Sequence, residues 1–128
     1  MNTLISPKVV PIDNPRIKLQ IAILTKFTNI DLVNPEEIAK EFSASELELI
    51  WQQAHMQNNF KLRNKVMIAE VSVLGKEDPK RKELFLYLIE WNRNDKSFAS
   101  PIFKQFMTDF SAETQLINQM KDRYINLL

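Results

Sequence analysis

The sequence predicts an all-α fold, an irregular or orthogonal bundle of about six or seven short helices with an extended N-terminal arm. Three observations carry this expectation. Four prolines, in Asn14-Pro15, Asn34-Pro35, Asp78-Pro79 and Ser100-Pro101, follow a side chain able to accept a hydrogen bond from the open amides of a first helical turn. Proline suits the first helical position because its missing N–H would be unpaired there anyway. The chain has a single glycine, Gly75, and between the proline junctions apolar residues recur at three- and four-residue spacing. A length of 128 residues suits one domain, read as residues 14–128 behind an arm at 1–13.

The arm contains Pro7 and Pro11, which forbid a regular helix, yet Leu4, Ile5, Val9, Val10 and Ile12 are apolar. A free tail has no need of them, so the arm is expected to pack on the body of its own chain. A helix is then expected from Pro15 to about Asn29, on the stripe Ile17, Ile21 and Leu24. The next starts at Pro35, capped by Asn34, with Glu36 and Glu37 complementing the positive helix N-terminus, and ends near Phe42. Another follows at once. Ser43 with Glu46 and Ser45 with Glu48 both have capping-box spacing, and only one can be the start. Its apolar face is Leu47, Ile50, Trp51 and Ala54, and Asn58-Asn59 breaks it.

Residues 60–74 carry Val66, Val71 and Val73, which favour a strand. The run from Lys65 to Ala69 does not alternate, however, and no partner strand is evident, so a helix is expected there, closed by Gly75 in the left-handed conformation. From Pro79, the run Leu84 to Ile89 with Trp91 leaves almost no polar face, as in a helix surrounded by others. Asn92 to Ser100 reads as a polar loop. A helix from Pro101 aligns Ile102, Phe103, Phe106, Met107 and Phe110. A last helix, capped by Ser111, carries Leu116, Ile117, Met120, Tyr124, Leu127 and Leu128.

Composition narrows the function classes. With no cysteine, neither a disulfide framework nor a thiolate metal site can form, and a reducing, cytoplasmic setting is the simplest expectation. The residues before Pro15 do not resemble a signal peptide. The longest apolar runs fall far short of the about 20 residues that cross a bilayer, so no membrane association is expected. Net charge is +1, without the basic excess of a dedicated nucleic-acid binder. The charge is uneven: Asp31 to Glu48 holds six acidic residues and one lysine, whereas Lys61, Arg63, Lys65, Lys80, Arg81 and Lys82 form two basic clusters.

Catalytic constellations are hard to assemble. The one histidine, His55, shares a helix side with Glu48 and Gln52. That supplies too few ligands for a metal and no nucleophile–base–orienter set. One glycine cannot build a phosphate loop. No enzyme activity, metal or cofactor is expected. The aromatic set Phe85, Trp91, Phe98, Phe103, Phe106 and Phe110 is expected to be core rather than a ligand cavity, and Met56, Met67, Met107 and Met120 to fill space in it.

Pro35 to Ala54 resembles a helix-turn-helix unit. Ile38, Ala39 and Phe42 occupy the places of its first helix, Ser43-Ala44-Ser45 its turn, and Leu49 a core position of its second helix. The resemblance implies DNA binding, with Lys61, Arg63, Lys65, Lys80, Arg81 and Lys82 on phosphates. The positions that would face the groove are Ser45, Glu46, Leu47, Ile50 and Trp51. These are acidic and apolar where base reading calls for donors.

The expectation is therefore a non-enzymatic protein–protein interaction module: a small regulator, adaptor, inhibitor or immunity-type protein. Its acidic face, with Glu37, Glu41 and Glu46, would meet a basic partner, and Leu47, Ile50 and Trp51 would be apolar anchors. The competing reading of those three is that they belong to the core. A DNA-binding regulator is the alternative, and a homodimer is compatible with both.

Overall fold

A computed structural model describes residues 34–128. The arm at 1–13 and the helix expected from Pro15 to Asn29 lie outside the described residues. Among the described residues there are six α-helices and no strand, as the proline junctions and the 3.6-residue pattern require. These residues divide into two compact units, one ending at Gly75 and the other beginning at Lys76.

The first unit contains α1 (Pro35–Glu41), α2 (Ala44–Met56) and α3 (Phe60–Val73). The Asn34 side chain accepts from the Glu36 amide at 2.9 Å, and Pro35 takes the first position, as the junction predicts. Ser43, not Ser45, starts α2. Its hydroxyl accepts from the Glu46 amide at 3.2 Å while the Glu46 carboxylate accepts from the Ser43 amide at 3.0 Å, a complete capping box. Asn58 turns the chain between α2 and α3 with φ 58°, a left-handed conformation that asparagine tolerates better than most residues. Residues 60–73 are helical despite their valines. Both α1 and α2 pack on α3, so packing overrides β propensity there. The buried side chains include Ile38, Phe42, Leu47, Ile50, Trp51, Leu62, Val66 and Met67. Gly75 has no positive φ; Leu74 ends α3 in extended geometry. The expected left-handed glycine cap is therefore absent, and the glycine stands at the boundary between the units.

The second unit contains α4 (Pro79–Trp91), α5 (Lys96–Asp109), α6 (Thr114–Arg123) and a 3-10 turn, Ile125–Leu127. The Asp78 side chain accepts from the Lys80 amide at 2.9 Å ahead of Pro79. Two boundaries differ from expectation. First, α5 begins at Lys96, with Asp95 as its N-cap, and Pro101 lies inside it. The segment Lys96 to Ser100 is therefore helix, not loop. The buried stripe Phe103, Phe106 and Phe110 extends one turn back to Ala99, which is 0% exposed, and the Ser100 hydroxyl is tied to the Leu127 carbonyl, so the helix continues through Pro101 although its ring nitrogen donates no intrahelical bond. Second, α6 is capped at Glu113 without a side-chain bond, rather than by Ser111.

The core of this unit is largely aromatic. Phe85 meets Phe106 and Phe110 edge-on at 5.8 and 6.1 Å, and Phe103 meets Tyr124 at 5.9 Å. These rings pack on one another, in the edge-to-face arrangement their quadrupoles favour. Trp91 is half-buried and stacks on Tyr87 at 4.9 Å. Of the methionines, Met67 and Met120 are buried, but Met56 is 56% exposed and fills no core space.

Candidate functional site

The acidic segment folds into two different uses of carboxylate. On α1, Glu36, Glu37, Lys40 and Glu41 are all exposed, while Ile38 and Phe42, one turn apart, are buried. A helix with charged residues at these offsets and apolar residues between them keeps one wet face and one dry edge. Glu37 and Glu41 stand one turn apart on the wet face.

Farther along, the carboxylates are structural. Glu46 is held in the capping box. Glu48 accepts from the Gln52 amide nitrogen at 3.0 Å and from the Trp51 indole at 3.1 Å. Glu70 on α3, 2% exposed, accepts from the same indole at 2.9 Å. A buried N–H is thus shared between two carboxylate oxygens, the pairing a buried polar atom requires.

This corrects the anchor assignment. Leu47, Ile50 and Trp51 are each 0% exposed. They are core, and no partner reaches them in the folded chain. The same burial removes the face that a helix-turn-helix would lay in a groove, since three of its five reading positions are inside the unit. Glu37 and Glu41 remain on the surface, and Glu46 is only half-exposed.

The basic clusters are also largely committed. Arg81 donates to Asp109 at 2.6 Å with both side chains nearly buried. Lys82 pairs with Glu113 at 2.6 Å and Lys80 with Glu83 at 3.5 Å. Arg63 is 4% exposed. It donates to Asn64 Oδ1 and to His55 Nδ1, the latter at 3.1 Å, and lies 4.5 Å from the Phe60 ring centre. Burial pushes the Arg63 guanidinium down to about 10. Burial first, and then the Arg63 charge, holds the His55 imidazole below its usual range. The histidine thus serves as a neutral acceptor for a buried arginine. Lys61 is exposed and Lys65 half-exposed, a sparse footprint for a phosphate backbone.

Sequence reasoning missed one polar cluster. Glu90, on α4, has a side chain 9% exposed and collects Arg123 at 2.8 Å, the Tyr124 hydroxyl at 2.6 Å and Arg93 at 3.4 Å. Burial pushes its carboxyl up, but the bonds from Tyr124 and Arg123 and the charges of Arg123 and Arg93 hold it below the usual carboxylate range overall. Burial and the bond to Glu90 push the Tyr124 phenol up to about 12. A charge embedded in the apolar run Leu84 to Trp91 was the available signal, as was Glu70 among Met67 to Val71: a charge that helical phase turns inward must find a partner.

Among the described residues, no group of three or more His, Asp or Glu side chains is placed to hold a metal ion, and no helix is long and apolar enough to cross a membrane. No family model, curated protein or solved structure matches the chain.

Proposed function

We propose that this chain is a non-enzymatic protein–protein interaction module that engages a partner with a basic surface through the wet face of α1. The observation that carries this reading is the exposed pair Glu37 and Glu41, one turn apart on a seven-residue helix whose opposite edge is buried. A lysine or arginine laid against this exposed acidic face gains a charge-assisted contact. Arg63, Arg81 and Lys82 are meanwhile drawn into intramolecular contacts, which favours a protein partner over nucleic acid. Without an apolar anchor on this face, affinity rests on charge, and binding weakens as salt rises.

The test compares affinity capture from the native host by the wild-type chain and by the Glu37→Lys, Glu41→Lys double variant, at two salt concentrations. Circular dichroism verifies that the variant folds. The expected result is a protein with a basic surface, retained by the wild type at low salt and lost by the variant. Recovery of nucleic acid alone, or the same proteins with both chains, overturns the reading.

A further inference from the structure

The helices α4 and α6 meet through side chains at two places. Near their starts Lys82 donates to Glu113 at 2.6 Å, and near their ends Arg123 and Tyr124 donate to Glu90 at 2.8 and 2.6 Å. Between these clasps lies a cleft of about 140 Å³, floored by Leu86, Leu116 and Met120 and edged by Gln119 and Arg123. Leu86 and Leu116 are only half-buried, although leucines at such positions usually close over a core.

Its volume decides what kind of occupant it takes. Sites for whole metabolites run to about 300–1,000 Å³, whereas a cavity of about 150 Å³ holds one benzene-sized group. The cleft is therefore sized for one side chain of a larger molecule. The charges at its Glu90 end decide the neighbour. Two guanidiniums, Arg93 and Arg123, share the single carboxylate of Glu90, and both arginine side chains are 48% exposed. Arg123 spends its Nε and Nη2 on Glu90, leaving Nη1 pointing to no partner in the cluster. That end of the cleft carries an excess positive charge and spare N–H donors next to an apolar floor.

We propose that this cleft is a docking site for a partner-protein segment that inserts one leucine-sized side chain between Leu86, Leu116 and Met120 and places an adjacent carboxylate on Arg123 and Arg93. A carboxylate there completes the count of two cations and two anions, and its hydrogen bonds are charge-assisted. The inserted side chain removes half-exposed leucine surface from water. This contact is independent of the acidic face of α1 and opposite to it in charge.

The test uses the full chain and three synthetic peptides on one Gly/Ser frame, carrying Glu-Leu-Glu, Lys-Leu-Lys or Glu-Ala-Glu, with amide NMR shifts as the readout. The expected result is saturable shifts at Leu116, Gln119, Met120 and Arg123 with the first peptide. Binding should be at least roughly tenfold weaker with each of the other two, the scale of one lost charged or apolar contact. The Leu116→Gln variant, at a half-exposed position, should keep its helical spectrum and lose the response. Equal binding of the lysine peptide, shifts confined to residues 34–75, no saturable shift with the glutamate peptide, or full binding by a folded Leu116→Gln chain each overturns the proposal.

Discussion

Trp51 combines complete burial with a polar tip, and the two can be separated by substitution. Its ring is 0% exposed, and its indole N–H is held by Glu70 at 2.9 Å and Glu48 at 3.1 Å. Trp51→Ala removes a large core side chain and should cost about 3–5 kcal/mol. Trp51→Phe keeps most of the volume but deprives two carboxylates of a donor, and should cost about 1–3 kcal/mol. Urea unfolding of the two variants measures both. A Trp51→Ala chain as stable as the wild type would mean that the ring is not core, and would return it to the surface where the sequence pattern first allowed it to be placed. Periodicity alone could not decide between those locations: it assigns Leu47, Ile50, Trp51 and Ala54 to one face but does not say what covers that face. The cover is α3, and its sign in the sequence is the one charge in the run Met67 to Val71, Glu70, a carboxylate that needs a donor such as an indole.

At the scale of the helix, capping is the interaction most directly legible in the chain, and it is also simple to test. Ser43→Ala removes a hydroxyl that accepts from the Glu46 amide and should lower stability by about 1 kcal/mol. Ser45→Ala, one residue inside the helix, loses only a hydroxyl–hydroxyl contact at 3.1 Å and should change it by less. Comparable losses in thermal melts would remove the distinction that the capping box draws. The Asn34-Pro35 and Asp78-Pro79 junctions became helix starts because each cap side chain reaches the amide two residues on. Ser100-Pro101 has the same local grammar and did not. Ala99 is needed in the core, and the Ser100 hydroxyl donates to the Leu127 carbonyl at 2.6 Å, so tertiary demands carried the helix back to Asp95. Likewise Glu113, at the N-cap of α6, makes no side-chain cap bond, and its carboxylate pairs with Lys82 instead. Local signals held where no distant partner competed for the same side chain. The proposed α1 contact was legible in its charges but not in its supposed anchors, and the α4–α6 cleft depends on pairings across more than thirty residues that spacing does not reveal.

At the scale of the whole molecule, His55 in one compact unit and Glu90 in the other titrate in different pH windows. In the first unit, burial and Arg63 hold His55 below its usual range. The unfolded chain therefore takes up the proton first, so the stability present above about pH 6.5 declines as pH falls toward the folded value. In the second, Glu90 is held below the usual carboxylate range. Its contribution is present above about pH 4.3 and declines as pH falls through its folded value. Acidification should thus weaken the unit of α1 to α3 first. Urea unfolding followed by amide NMR signals assigned to each unit should show the midpoint for residues 34–75 dropping between about pH 7.5 and 5.5. His55→Asn retains an acceptor for Arg63 without the titration and should flatten that drop. Glu90→Gln should lower the midpoint for residues 76–128 at neutral pH by the equivalent of about 1–3 kcal/mol, the worth of a charged hydrogen bond. Its deficit should shrink as the wild-type carboxylate is itself protonated. A His55→Asn chain with an unchanged pH slope, or a Glu90→Gln deficit that persists undiminished in acid, would show that these contacts do not set the acid response, and that the remaining carboxylates govern it collectively.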